Sequence, residues 1–212
     1  MKEPVIMIVD DEPDVRDAIA LLLKSVNYMV AVFESAQDYW SKFDPEQPGC
    51  LILDVRMPGM SGIELQGQLN QLDYHPPIIM ISGHGELTMA VNAVRSGAID
   101  FLPKPVSDQL LLERVSQALQ KDRGMRSAHE ELKKIQNQYE KLTSREREVL
   151  LGISQGKLNK TIAYDLNVST RTIEIHRAHV MEKMQANSLS SLMRFVSVLE
   201  KNNIIDKAVV TS

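Results

Sequence analysis

Five residues with polar or charged side chains stand where apolar runs of this 212-residue chain end. They are Asp10, Asp11, Asp54, Ser82 and Lys104. A carboxylate at the end of a buried run is costly unless something pairs with it, and an oxygen-only set of carboxylates suits Mg²⁺. Together they would equip a phosphoryl-transfer site: Asp54 attacks phosphorus, Lys104 and the ion neutralise phosphoryl oxygens, and Ser82 donates a hydrogen bond.

These residues meet only if the apolar runs are neighbouring strands. The runs alternate with five helical patterns and lie at 4–10, 28–34, 50–54, 76–82 and 98–103. The alternation predicts an α/β fold, a doubly wound, five-stranded parallel sheet covered on both faces. Such sheets carry their sites at the carboxyl ends of the strands. Each signal alone also has a structural explanation, such as a helix cap or a turn, so the weight lies in their order along one chain.

Composition and charge divide the chain into two halves. Residues 1–120 hold 8 Lys and Arg against 17 Asp and Glu, whereas residues 121–212 hold 16 against 11. The basic half could meet a polyanion, although this excess is also ordinary for a globular domain. The single cysteine excludes an internal disulfide. We find no signal peptide and no apolar run of about 18 residues, so we expect a cytoplasmic protein without a membrane span.

The first half resembles the receiver domain of two-component response regulators over residues 4–120. The segments that carry the resemblance are "VDDE", "LDVRMPGMSG", "ISGHG" and "FLPKP". The resemblance implies the flavodoxin/CheY-like fold for this half. It also implies that a sensor histidine kinase phosphorylates Asp54. A further implication is that Asp10, Asp11, Asp54 and the main-chain carbonyl of Arg56 surround Mg²⁺.

The same resemblance implies a conformational switch. Ser82 and Phe101 would couple phosphorylation to a change of shape, and Lys104–Pro105 would be a cis peptide bond. Arg56 and His84 fall at positions that tune the lifetime of the phosphoryl group, although His84 could equally be an exposed loop histidine.

The second half has an all-helical pattern. Helices are predicted at about 144–155, 159–166, 170–184 and 188–201, and "TSRE" at Thr143 is a capping box. Before them, apolar residues from Ala128 to Leu142 recur with a period of 3.5. That spacing fits either a solvated linker helix packed on its own domain or a dimer-forming coiled coil.

The middle two of these helices have helix–turn–helix character, with the second one entering the major groove of DNA. The helical wheel turns Glu174, Ile175 and Ala178 towards bases. Phosphate contacts are expected from Lys160, Arg171, Arg177 and Lys183, and we add Thr170 and Thr172 to the DNA-binding set.

Residues 140–203 are very similar to the LuxR-type DNA-binding domain and closest to FixJ-like regulators. We therefore predict a receiver domain at 1–120, a helical linker at 121–141 and a LuxR-type helix–turn–helix domain at 142–206. The expected function is phosphorylation-dependent regulation of transcription, with activation expected, by a homodimer that forms on phosphorylation. Its expected partners are double-stranded promoter DNA, the kinase and RNA polymerase.

Two rival functions stay open at this point. An aspartate-nucleophile phosphatase would usually carry a second acid two residues after the nucleophile, where this chain has Arg56. The helical half could instead bind RNA or another protein. We favour a regulator without enzymatic turnover.

Overall fold

The computed structural model describes residues 2–83 and 87–205, and for residues 87–90 it describes the backbone only. His84 therefore lies outside the described residues. Contacts divide the chain into two units, residues 1–127 and 128–212. Within the described residues, no helix combines the length and apolar character that a membrane crossing requires.

The first unit contains the predicted parallel sheet. Its order is β2-β1-β3-β4-β5, and every neighbouring pair is parallel. The elements are β1 Val5–Val9, α1 Pro13–Ser25, β2 Met29–Phe33, α2 Ala36–Ser41, β3 Gly49–Asp54, α3 Gly62–Leu69, β4 Ile78–Ser82, α4 Leu87–Arg95, β5 Asp100–Pro103 and α5 Asp108–Glu140. The predicted strands are confirmed to within two residues at each end.

Alternating residues of the central strands supply two cores, one on each face of the sheet. On one face, Ile6 and Ile8 of β1 pack with residues of α1 and α5. On the other, Met7 and Val9 pack with residues of α2 and α3. The sheet is thus covered on both sides, which leaves the ends of its strands as the place for a site.

Helix α5 is anchored to the first unit beyond residue 120. Asp122 is 2% exposed and accepts hydrogen bonds from the Tyr74 hydroxyl and from the backbone N–H of Gly49. The Arg126 guanidinium lies 4.5 Å from the centre of the Tyr74 ring and donates to the carbonyl of Gln47 at 2.6 Å. This part of the predicted linker therefore packs against the first unit, beside the start of β3.

The second unit is helical. It contains the end of α5 from residue 128 on, together with α6 Ser144–Ser154, α7 Asn159–Asp165, α8 Thr170–Lys183 and α9 Leu189–Lys201. The capping box at Thr143 is confirmed, with Glu146 as its third helical residue. Ile135 and Leu142 of the 3.5-residue seam are buried in the core of this unit, as the interpretation of a helix packed on its own domain requires.

Candidate functional site

Three acidic side chains of the first unit converge on the ammonium of Lys104. Its Nζ lies 2.8 Å from Oδ1 of Asp54 and 2.9 Å from Oδ2 of Asp10. A third carboxylate, that of Glu12, accepts a hydrogen bond from the same ammonium at 2.8 Å. Because β1 and β3 are neighbours, Asp10 and Asp54 leave the sheet side by side. Asp11 follows as a partly buried residue.

Backbone contacts at the ends of β4 and β5 position Lys104. The N–H of Lys104 donates to the carbonyl of Ser82 at 2.7 Å, one step beyond the last paired residues of these strands. Ser82 is 1% exposed. The predicted cis bond between Lys104 and Pro105 is confirmed. The strand ends therefore bring the lysine and the serine to the same edge of the sheet as the aspartates.

The turn after Asp54 packs against the Asp54 carbonyl and orients the Asp54 carboxylate through a backbone hydrogen bond. The N–H of Arg56 donates to Oδ2 of Asp54 at 2.8 Å. A Cβ on Gly62 would lie 2.0 Å from the carbonyl oxygen of Asp54, so only glycine fits there. This close approach explains why glycine follows the "MPGMS" turn.

Burial and ion pairing shift the pKa values of Asp54 and Lys104. It raises the pKa of Asp54 from its usual 3.8 to about 6, against the opposing pull of the Lys104 ammonium, and the negative charge of Asp10 adds to the rise. For Lys104 burial acts in the other direction, but its bonds to Asp54, Glu12 and Asp10 outweigh it and raise the pKa of the ammonium. The lysine is charged, and one positive charge serves several carboxylates.

The donor set fits a hard divalent cation. Asp10 is fully buried, Asp54 is 3% exposed, and oxygen atoms are the only side-chain donors that the predicted ligand set offers. Two buried carboxylates beside a single ammonium leave net negative charge, which a cation would neutralise. The pocket therefore suits Mg²⁺.

Phe101 packs against one of the two cores of the first unit. It is a partly buried residue of β5, opposite Met80 of β4, and packs against the core on the side of α2 and α3.

In the second unit, the predicted DNA-binding residues are mostly exposed. Ser169 caps α8 by accepting from the N–H of Thr172, so the helix begins where the sequence predicts. Ile173 and Val180 face the core, and the opposite side of the helix lies open. The exposed members of the predicted set are Lys160, Thr170, Arg171, Glu174, Ile175 and Ala178.

The remaining members of that set are partly buried and bonded inside the unit. Arg177 donates to Oδ1 of Asn159 on α7 at 3.2 Å. The ammonium of Lys183 lies 2.6 Å and 2.9 Å from the two carboxylate oxygens of Glu146. The Thr172 hydroxyl is hydrogen-bonded to that of Ser169. Arg177 and Lys183 therefore tie helices of the unit together, whereas Thr172 belongs to the cap of α8.

Sequence reasoning missed two of these partners. Glu12 follows the aspartate pair directly in "VDDEPD", but nothing in a sequence tells how far a helix-start glutamate reaches. Glu146 was visible as a capping residue, whereas its ion pair with Lys183 depends on how α6 packs on α8.

A five-stranded parallel sheet with a lysine-centred acidic pocket, followed by a helix–turn–helix unit, defines a response regulator. Residues 6–116 match the family described as response regulator receiver domain, and residues 140–196 match the luxR family of bacterial regulatory proteins. The chain belongs to the response regulators that carry a LuxR-type DNA-binding domain. Its function is phosphorylation-dependent, DNA-binding regulation of transcription, and its family is one of transcription regulators rather than typical enzymes.

Relatives of this type match most of the chain. It is 39% identical to the transcriptional regulatory protein FixJ of Rhizobium meliloti, over 92% of this chain and 95% of that protein. It is 40% identical to the response regulator protein TodT of Pseudomonas putida, over 92% and 86%. Among solved structures, the response regulator StyR matches with a TM-score of 0.81 and 40% identity, over 92% of this chain and 99% of that one.

Proposed function

We propose that Asp54 is the phosphoacceptor of this regulator and that a sensor histidine kinase supplies the phosphoryl group. The observation that carries the proposal is the convergence of Lys104 on Asp54 and Asp10 at one edge of the sheet. Asp10, Asp11, Asp54 and the main-chain carbonyl of Arg56 are the proposed ligands of Mg²⁺. When bound, the ion neutralises negative charge on the carboxylates and on the phosphoryl oxygens.

The transfer step follows from the chemistry of the pocket. An ionised oxygen of Asp54 attacks phosphorus and forms a new O–P bond, while the bond between phosphorus and the donor's leaving group breaks. A pKa of about 6 leaves this carboxylate largely ionised at pH 7. Lys104 opposes the negative charge on the phosphoryl oxygens as a point charge. The hydroxyl of Ser82 donates to one of them.

The switch we propose uses the two strands beside the pocket. A phosphoryl group adds negative charge and new acceptor oxygens at Asp54. Ser82 moves towards them, and Phe101 fills the space it leaves. The face of α4 and β5 then changes shape, because the phosphoryl group binds the active shape more tightly. Dimerisation through that face raises the local concentration of paired DNA-binding domains.

The output we propose is binding of double-stranded promoter DNA through α8. The exposed side chains of Glu174, Ile175 and Ala178 support a role at base edges. Among the proposed phosphate contacts, Lys160 and Arg171 are best supported, because their side chains are exposed. Arg177, Lys183, Thr170 and Thr172 complete the proposed DNA-binding set. The bound dimer acts on RNA polymerase in the cytoplasm as an activator.

The domain limits stay part of this proposal. We assign 1–120 to the receiver, 121–141 to a helical linker and 142–206 to the DNA-binding domain. Limited proteolysis of the full chain, with mass spectrometry of the fragments, tests them. Cleavage within 127–141 supports these limits, and first cleavage inside 1–120 contradicts them.

Labelling with a small phosphoryl donor tests the phosphoacceptor. Acetyl phosphate and Mg²⁺ should phosphorylate the full chain and Asp73→Asn, which removes an exposed aspartate of the same unit. Asp54→Asn should take up no label. Label on Asp54→Asn would show that the phosphoacceptor lies elsewhere.

Gel shifts and sedimentation test the output. With beryllofluoride as a phosphoryl mimic, the wild-type chain should sediment as a dimer and bind duplex promoter DNA more tightly than single-stranded RNA, at a stated salt concentration. Preference for the RNA would favour the rival function. Turnover of added phosphomonoesters would identify an enzyme.

A further inference from the structure

We propose that Glu12 is a positioning residue for phosphoryl transfer, which anchors the Lys104 ammonium while Asp54 changes from carboxylate to acyl phosphate. The inference rests on the proposed function of Asp54. It deepens that function by adding a residue outside the ligand and switch sets assigned above.

The contacts of the lysine carry the proposal. Three carboxylates, those of Asp10, Glu12 and Asp54, lie within 2.8–2.9 Å of the Lys104 ammonium and form ion pairs with it. Only one of them, Asp54, changes when the phosphoryl group arrives. The contacts with Asp10 and Glu12 are then the two anchors that keep the ammonium in place during the transfer.

The backbone of Glu12 is fixed by the pocket itself. Its N–H donates to Oδ1 of Asp10 at 2.9 Å, and its carbonyl accepts from the N–H of Arg16 at 3.0 Å. The Arg16 side chain in turn donates to the carbonyl of Asp10 at 2.6 Å. The first turn of α1 and the end of β1 therefore hold the starting point of the Glu12 side chain.

Burial shows from which side each anchor acts. The Glu12 side chain is 61% exposed, that of Asp10 is fully buried, and that of Lys104 is 14% exposed. Glu12 thus holds the ammonium from the solvent side, and Asp10 holds it from inside the sheet. Without the outer anchor, the long lysine side chain gains freedom to turn towards water.

Three substitutions separate contact from charge. Glu12→Asp keeps the charge but shortens the reach, Glu12→Gln keeps an acceptor oxygen at the right length without the charge, and Glu12→Ala removes both. The matched control is Asp14→Asn, which removes a carboxylate from the first turn of the same helix.

The readout is the rate of phosphorylation of the full chain by acetyl phosphate at constant Mg²⁺. Exposed ion pairs have small effects, so Glu12→Asp and Glu12→Ala should lower the rate at saturating donor about two- to fivefold. The donor concentration at half-maximal rate should stay unchanged for Glu12→Asp. Glu12→Gln should fall between these variants and wild type, and Asp14→Asn should keep the wild-type rate at saturating donor.

A second readout reports the ammonium directly. Side-chain ¹⁵N NMR should show the Lys104 ammonium as a slowly exchanging signal in wild type and Asp14→Asn, and as a weaker one in Glu12→Asp. A wild-type rate and signal in Glu12→Asp would overturn the inference, as would equal effects of Glu12→Gln and Asp14→Asn.

Two further variants keep this result separate from the proposed function. If Asp54→Asn still takes up label, the phosphoacceptor is wrong, whatever Glu12 does. If Asp54→Asn blocks labelling and Lys104→Ala slows it while Glu12→Asp does not, only the role of Glu12 is wrong.

Discussion

The receiver pocket and the helical unit each contain a carboxylate paired with a lysine, with opposite electrostatic results. Asp54 and Glu146 are both 3% exposed, and the nearest lysine nitrogen lies 2.8 Å from the first and 2.6 Å from the second. Yet the pKa of Asp54 is raised to about 6, whereas that of Glu146 is lowered to about 2.

The balance between burial and hydrogen bonding explains the difference between the two pKa values. At Asp54 burial is the largest cause, and the hydrogen bonds from Lys104 and the Arg56 N–H do not offset it, while the negative charge of Asp10 adds to the rise. Burial opposes ionisation of Glu146 too, but hydrogen bonds from Lys183 and from the backbone and hydroxyl of Thr143 outweigh it. In the structural pair, hydrogen bonds fully compensate the buried carboxylate. In the reactive site, part of the negative charge is left uncompensated, and a bound cation can still neutralise it.

The largest effect is expected at the structural pair. Glu146→Gln retains the capping interaction with Thr143 but loses the charge that faces Lys183, so it should destabilise the helical unit by about 2 kcal/mol. Hydrogen exchange of the α6 and α8 amides measures this. Glu148→Gln, on the exposed side of α6, is the control and should change little.

The pH dependence of that loss has a definite sign. The pKa of Glu146 is below its usual value of 4.5, so the stabilisation is complete above pH 4.5 and disappears as the pH falls towards 2. The difference between wild type and Glu146→Gln should shrink over that window. A constant difference would contradict the ion-pair explanation.

The same chemical change should have the opposite sign at Asp54. Its pKa is raised, so ionisation opposes folding increasingly as the pH rises from 3.8 to about 6. Without Mg²⁺ at pH 7, Asp54→Asn should stabilise the first unit by about 1–2 kcal/mol. Denaturant unfolding followed by Trp40, the single tryptophan and a residue of α2, measures it.

The gain should vanish as the pH falls below 4, and Asp73→Asn should produce none. Destabilisation by Asp54→Asn at pH 7 would show that Lys104 satisfies Asp54 after all and would remove the contrast between the two pairs.

Magnesium should sharpen the contrast further. Because it binds the folded pocket, saturating Mg²⁺ should stabilise the first unit by about 1 kcal/mol or more and leave α6 and α8 unchanged. Asp10→Asn should lose most of this effect in the same Trp40 assay. An equal gain in Asp10→Asn would place the ion outside the proposed ligand set.

The smallest effect concerns the exposed surface of the helical unit. Lys160→Ala should weaken binding to all duplex sequences and reduce the slope of log affinity against log salt by about 1. Glu174→Gln should instead change the preference at one base pair. A salt slope that Lys160→Ala leaves unchanged would remove this residue from the phosphate contacts.

The sequence predicted most of the fold because its signals are local. Strand ends, the Thr143 capping box and the Ser169 cap depend on residues a few positions apart, and all three are confirmed. Predicting that Asp10 and Asp54 meet required one further step, the pairing of β1 with β3, which the structure shows.

What the sequence left out depends on long side chains and on packing. The reach of Glu12 to Lys104 spans 92 positions, and that of Lys183 to Glu146 spans 37. The clamp of Asp122 by Tyr74 spans 48. No periodicity or spacing indicates such pairs, because each is chosen by the tertiary fold.

One measurement tests the contrast most directly: a ¹³C NMR titration of the side-chain carboxyl groups of the full chain without Mg²⁺. Our account predicts that Asp54 titrates near pH 6 and Glu146 near pH 2 in the same sample. Titration of Asp54 at or below pH 3.8 would contradict it. Lys104 would then stabilise the charge of Asp54 enough to offset its burial, as Lys183 does for Glu146.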